Sequence, residues 1–312
     1  MPIFEELELF PELPARLPPF REAFKGVPSA APVKRSGGRL GLPYLGSKNK
    51  IAREIVALLP PAKHFYDIFC GGCAVTHAAM LSGKYEQFHV NDKRGDVPQL
   101  FADCIAGRRP TPEDYRAISR EEFHRLKDKD ALVRLVWSFG NNGRDYFWHC
   151  DIEKEKLLAH RMLTAATLSE RYQNYKAFVK SSQGLQGLER LQGLERLEGL
   201  ERLEGLEQLT RVKSQVYATS GDYQEVEILP DAVVYADPPY RVLKNDKNDY
   251  GDFDFDRFDA WLREVPFPVY VSEYKMPEDF VCVWQRTKTG TLGAGSRTPT
   301  VEKLFLHERW RI

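Results

Sequence analysis

The chain has 312 residues, and its 45 basic and 45 acidic side chains cancel to a formal net charge of zero. That length allows one large domain or two modest ones, and the balance excludes a bulk electrostatic binder of nucleic acid without excluding local patches. No apolar run reaches membrane-spanning length and no signal peptide opens the chain, so the expectation is a cytoplasmic protein with no membrane contact.

Residues 1–40 are rich in proline and end near Ser36-Gly37-Gly38, an arm rather than a domain. A basic stretch follows, with Lys34, Arg35, Arg39, Lys48, Lys50, Arg53 and Lys63 against Glu54. Such a stretch suits a polyanion, or is simply solvated surface. Within it, Ser47 is positioned to cap a helix whose apolar face includes Ile51, Ile55 and Leu58 or Leu59, and Pro60-Pro61 ends that helix. A lysine at position 48 is not what the helix dipole favours at an N-terminus, which points to a ligand or a carboxylate as its partner.

Residues 64–81 read as strand, glycine-containing turn and helix, the turn being Cys70-Gly71-Gly72-Cys73. Such a turn lets a cofactor approach the backbone closely. About twenty residues on, Phe88 to Asp92 is a second short strand ending in an acid, well placed for ribose hydroxyls. The Cys-x-x-Cys spacing also fits a redox pair or half a zinc site, but no second pair accompanies it. The five cysteines are odd in number with no framework spacing, so we expect no disulfide, and no metal.

Residues 98–180 read as largely helical. They contain Trp137-Ser-Phe-Gly-Asn-Asn-Gly-Arg-Asp-Tyr-Phe-Trp148, where Asn141, Asn142 and Arg144 stand among aromatics. Stacking faces and amide groups of this kind suit nucleic acid, and aromatics closing a core beneath a turn are the plainer alternative. Leucine recurs at every third position from Leu185 to Leu209, a spacing that winds around an α-helix and does not fit strand alternation; a helix and a small solenoid-like stack both stay open, and we treat 184–209 as an expanded insertion.

From Gln215 the strand-and-turn pattern resumes. Val216 to Thr219 leads to Ser220-Gly221-Asp222, and Val233 to Ala236 is an apolar β-branched run that ends in Asp237-Pro238-Pro239-Tyr240. A buried parallel strand presents such an end to a ligand. The proline restrains Asp237 away from the helical region. A carboxylate and a proline carbonyl can accept the two N–H bonds of an exocyclic amino group while a tyrosine stacks on its ring. A helix over Phe255–Leu262, a strand over Val269–Glu273, a flexible loop from Thr287 to Ser296 and a closing strand over Val301–Leu306 complete the pattern.

In this order the motifs resemble the Dam-type, D12 class of DNA adenine N6-methyltransferases, over about 41–105 and 215–306. Tyr44-Leu-Gly-Ser-Lys48 resembles the family's N-terminal motif, Asp67-Ile-Phe-Cys-Gly-Gly-Cys73 its glycine turn, Asn91-Asp92 its second acid, Asp237 to Tyr240 its DPPY motif and Ser296 to Glu302 its late segment. The resemblance implies an α/β fold, a Rossmann-like methyltransferase sheet with a mostly helical insert and the leucine repeat. It divides the chain into an arm (1–40), a catalytic domain (41–105 and 215–312) and an inserted target-recognition region (106–214). It implies S-adenosylmethionine as methyl donor, with Tyr44, Lys48, Phe69, Gly71, Asp92, Asp222 and Asp237 around it. Asp237, Pro238, Pro239 and Tyr240 would act on a flipped adenine in double-stranded DNA, and Asn141, Asn142 and Arg144 would touch the DNA. A cognate restriction endonuclease belongs to the same setting. Cys73 departs from the family's usual glycine, which suggests a tighter turn or weaker cofactor binding. The motif also serves cytosine N4 chemistry, and a relative that binds DNA but has lost catalysis is a further alternative.

Overall fold

The computed structural model describes residues 40–108, 111, 114, 116–181, 209, 211–241, 253–288 and 300–310. The arm up to residue 39, the leucine repeat before Leu209 and residues 289–299, which include most of the loop expected from Thr287 to Ser296, lie outside the described residues.

Seven strands are present among the described residues: β1 (His64–Asp67), β2 (Gln87–Asp92), β3 (Gln215–Ser220), β4 (Ala232–Ala236), β5 (Val269–Glu273), β6 (Phe280–Lys288) and β7 (Thr300–His307). They form one sheet in the order β3-β2-β1-β4-β5-β7-β6. The first five are parallel, and β7 runs antiparallel to both its neighbours, β5 and β6. Chain order reverses between β1 and β4, which makes the crevice beyond their carboxyl ends the natural ligand site of an open α/β sheet. The sheet is a Rossmann-like α/β arrangement, as expected.

The central strands are buried on both faces, as β-branched and aromatic runs in parallel sheets require. Every residue of His-Phe-Tyr-Asp in β1 is buried, and so are Val233, Val234, Tyr235 and Ala236 in β4. On one face, Tyr66, Ile68, Val234, Val271 and Phe305 pack with Phe258 and Leu262 of the helix Phe255–Glu264. Each such large side chain contributes about 1.5–3 kcal/mol on burial.

Helices α1 (Ala52–Leu58), α2 (Ala74–Ser82) and α3 (Asp96–Ile105) follow the early turns and strands. Helix α2 is buried almost all round and stops at Gly83, whose φ of 68° supplies the left-handed residue that closes many helices. The carbonyls at the end of α1 are taken up by Lys84, whose ammonium donates to Val56, Ala57 and Leu59 at 2.9, 3.0 and 2.8 Å. Two short helices, α4 (Arg120–Leu126) and α5 (Ala131–Val136), precede a hairpin-like loop. Asp130 caps α5 by accepting from the N–H groups of Leu132 and Val133.

The chain divides into two compact units. The strands and α1–α5 belong to one, together with α8 (Phe255–Glu264). In its described residues the other comprises 116–119 and 148–181, with α6 (Cys150–Thr164) and α7 (Leu168–Ser181). Residues 165–167 join these two helices, and Ala159, Met162, Tyr175 and Phe178 are buried there.

Two expectations need correction. Strand β6 takes in Thr287, where a flexible loop was expected. It is the edge strand, largely exposed and irregular between Cys282 and Trp284, so it lacks the alternation that would reveal it. Ser47 does not cap α1: the cap position is Ile51, without a side-chain bond, and the Ser47 hydroxyl accepts instead from Asn49 N–H at 3.3 Å. Of the two leucines offered for its apolar face, Leu59 is buried and Leu58 exposed.

Candidate active site

Residues 40–44 lie across the turn that joins β1 to α2. Leu42 N–H donates to the Gly72 carbonyl at 2.7 Å, and Gly41 N–H donates to His77 Nδ1 at 3.0 Å. Burial holds the His77 imidazole at about 4, so it is neutral and free to accept there. Gly71 has φ of 44°, and a Cβ on it would stand 2.9 Å from the Tyr44 ring. Glycine is therefore required at 71 both for the backbone and for the tyrosine that covers it. Gly71 N–H in turn donates to Asp92 Oδ2 at 2.9 Å, and Arg94 N–H donates to Oδ1 at 3.0 Å. Burial pushes the Asp92 carboxyl up, and these two N–H groups pull it back.

Cys73 opens α2 at φ 57° and ψ 32°, the left-handed conformation a glycine takes without strain. Cys73 thus takes in this turn a conformation open to glycine. Cys70 and Cys73 are free thiols, buried and raised by that burial, which makes them unreactive packing groups.

At the mouth of β4 the Asp237 Oδ2 lies 2.7 Å from Lys48 Nζ, and that ammonium stands 4.8 Å from the centre of the Tyr240 ring. Burial alone would lower Lys48; the Asp237 and Glu302 carboxylates overcome this and hold it above its ordinary value. Burial raises Asp237, and Lys48 opposes it. Two opposite charges that share one site keep each other ionised. Asp237 Oδ1 is buried without a hydrogen-bond partner among the described residues. The Tyr240 hydroxyl also lies close to this carboxylate, yet its single proton goes to Glu302 Oε2 at 2.9 Å. The Tyr274 ring meets Tyr240 edge-on, with centroids 4.5 Å apart.

All five parallel strands end in or just before a carboxylate: Asp67, Asp92, Asp222, Asp237 and Glu273. Their surroundings differ. Asp67 accepts from Thr76 Oγ1 at 2.8 Å, and burial pushes it up to about 7. Asp222 accepts from Gln224 N–H and from Arg257 at 2.9 Å, so it serves a turn and an ion pair. Phe69 faces Tyr223, Phe253 and Phe258 with centroids 5.2–5.7 Å apart. Tyr44, Lys48, Gly71, Asp92, Asp237 and Tyr240 thus gather around the ends of β1, β2 and β4, while Asp222 is engaged with Arg257.

Residues 44–281 match the family described as D12 class N6 adenine-specific DNA methyltransferase. The chain belongs to that family. It is an adenine-specific DNA methyltransferase, an enzyme that methylates N6 of adenine in DNA. Among curated proteins none matches the chain.

After α5 comes the loop that holds Asn141, Asn142 and Arg144, the residues expected from the sequence to touch DNA. Phe147 N–H donates to the Trp137 carbonyl and Phe139 N–H to that of Asp145, which makes 137–147 hairpin-like. Asn142 Oδ1 accepts from the N–H groups of Arg144 and Asp145, so this side chain builds the turn. Asn141 sits at φ 58°, and its Oδ1 is buried without a hydrogen-bond partner among the described residues. Phe139 is 65% exposed at the tip. Sequence reasoning passed over Phe139, Glu273, Tyr274 and Glu302 as site residues. For Glu273 a signal existed: an acid closing an apolar strand, the same pattern that marked Asp92 and Asp237.

Proposed function

We propose that the methyl donor is S-adenosylmethionine and that the target adenine is flipped out of double-stranded DNA to meet Asp237, Pro238, Pro239 and Tyr240. The observation that carries this reading is the Asp237 carboxylate, with one oxygen on the Lys48 ammonium, which itself stands over the Tyr240 ring, and the other buried without a hydrogen-bond partner among the described residues. A carboxylate already engaged with one N–H donor, at a strand mouth and next to an aromatic ring, suits an exocyclic amino group.

In this reading Asp237 and the Pro238 carbonyl accept from the adenine N6 amino group, and Tyr240 stacks on the base. Flipping costs a few kcal/mol, which stacking and these hydrogen bonds offset. The donor supplies an electrophilic methyl on sulfur. What the chain contributes is position and electrostatics: Asp237 directs the nitrogen lone pair, and no covalent enzyme intermediate is needed. Asp92 keeps a lone pair on each oxygen for ribose hydroxyls beyond its two N–H bonds. Tyr44, Lys48, Phe69 and Gly71 complete that pocket, with Asp222 at its margin. The exposed Phe139, with Asn141, Asn142 and Arg144, forms the DNA-facing loop of a recognition region within 106–214, inserted between the 41–105 and 215–312 parts of the catalytic domain.

A cytoplasmic location fits a DNA-acting enzyme with no helix, among the described residues, long and apolar enough to cross a membrane. The family's setting supports a cognate restriction endonuclease. The test is incubation with labelled S-adenosylmethionine and unmethylated DNA, followed by digestion to nucleosides. Label in N6-methyldeoxyadenosine is expected. Cofactor bound but no label transferred would overturn the assignment of the site.

A further inference from the structure

We propose that Glu273 is the positioning residue of the catalytic turn, its carboxylate clamping the backbone on both sides of the Tyr240 ring. This rests on the assignment of Asp237 to Tyr240 as that turn.

Glu273 closes β5 and is 1% exposed. Its Oε2 accepts from Arg241 N–H at 3.1 Å and its Oε1 from Tyr274 N–H at 2.7 Å. Both donors are main-chain groups, so the carboxylate registers the position of the backbone rather than the identity of a side chain. Arg241 directly follows Tyr240, and Tyr274 carries the ring that meets Tyr240 edge-on. One carboxylate thus ties the exit of the catalytic turn to the residue that braces its tyrosine. The turn has few other handles. Pro238 and Pro239 offer no N–H, so the first donors after Asp237 belong to Tyr240 and Arg241.

The Arg241 guanidinium does not substitute for this clamp. It bonds Asp259 of α8 at 2.5 Å and lies over the Phe255 ring, with its Nε 3.8 Å from Glu273 Oε2. Burying a carboxylate so fully is costly unless it is well bonded. The charges that act on Glu273 are Arg241 and Asp237 from the turn; Arg241 is itself held by Asp259, and Lys303 is the register partner of Glu273 on β7. Burial pushes Glu273 up to about 7, against the two N–H bonds and Arg241. When protonated, one carboxyl oxygen bears a proton and becomes a poor acceptor for the N–H aimed at it. The clamp then holds one of its two N–H groups and loosens the other.

The sign of the linkage separates this from unfolding. A carboxyl raised in the folded state binds its proton better there than in the unfolded chain, so stability from this group is present at acid pH and is lost as pH rises through about 7. For this group, then, a methylation rate that falls on the acid side is not a loss of stability. His77, His89 and His160, held at about 4 by burial, do weaken the fold as pH falls, and the melting temperature taken at each pH separates their effect.

The test compares the full-length protein, Glu273→Gln and Asp237→Ala. Single-turnover methylation is followed on both sides of neutrality, with cofactor affinity by calorimetry and melting temperature measured alongside. In the unsubstituted protein the rate is expected to fall as pH drops through about 7, and the Arg241 amide resonance to shift with the same midpoint. Glu273→Gln keeps the shape but turns one acceptor into a donor. It is expected to lower the rate roughly tenfold, leave cofactor affinity unchanged and abolish the acid limb. An unchanged rate, an acid limb that persists in Glu273→Gln, or an Arg241 amide that does not titrate would each overturn the proposal. So would a parallel fall in rate, affinity and melting temperature, since that describes a merely structural residue. Full activity in Asp237→Ala would instead remove the assignment of the turn itself.

Discussion

Asp92 and Asp237 end neighbouring parts of the same sheet, yet one is spent on the backbone and the other is held open. Both oxygens of Asp92 accept main-chain N–H bonds, from Gly71 and Arg94. Asp237 has one oxygen on an ammonium and one with no partner among the described residues. Both carboxyls are raised by burial. The difference lies in what opposes it: fixed backbone dipoles in one case, a movable side chain in the other. A carboxylate tied to backbone shapes a turn. One balanced by a lysine on a single oxygen keeps the other for an incoming N–H donor.

The largest effect that would break this contrast comes at Asp237. Asp237→Ala is expected to reduce methylation by roughly 10²- to 10³-fold or more, read by transfer of label to DNA. It also strands a buried ammonium, so some stability is lost. Adding Lys48→Met should restore the melting temperature but not the activity. Recovery of activity in the double variant would show that Asp237 serves only to neutralise Lys48.

Asp92→Ala should behave in the opposite sense. It leaves the N–H groups of Gly71 and Arg94 without acceptors, at about 1–3 kcal/mol each where water cannot reach them. Melting temperature and cofactor affinity should fall together, as denaturation and calorimetry would register. Tyr240→Phe removes the bond to Glu302 and keeps the ring. About 1 kcal/mol is at stake, so a several-fold loss of rate is expected in single-turnover assays, with cofactor affinity unchanged. The smallest change is expected at Cys73. Cys73→Gly relieves a left-handed residue but removes a buried thiol, and the two effects offset to within about 1 kcal/mol. Cofactor affinity should not move. A marked gain would show that Cys73 does weaken the turn.

The parallel core was legible because its strands are apolar runs that end in acids and turns. The β1 turn, Asp92 and the Asp237 strand all stand where the pattern put them, and the family match spans them. The edge strand β6 was not, since an exposed edge carries no burial pattern and its bulge breaks what alternation there is. Glu302 was quoted within a motif, yet nothing in Val-Glu-Lys-Leu says that its carboxylate bonds a tyrosine 62 residues away. Ser47 misled because a serine before an apolar run is a good cap only if the helix starts at once; here a turn intervenes and the helix begins at Ala52. Side chains that act across the sheet, such as Lys84 and Glu302, are fixed by topology, which local spacing does not encode.

Strand β7 lies between β5 and β6 although it follows both in the chain, and it brings Glu302 to the Tyr240 hydroxyl. Until it slots in, β5 has an unpaired edge and the tyrosine lacks its acceptor. An enzyme severed between residues 288 and 300 would therefore be a two-piece device, silent until the short second piece docks, and its methylation of DNA would count how often the two halves meet.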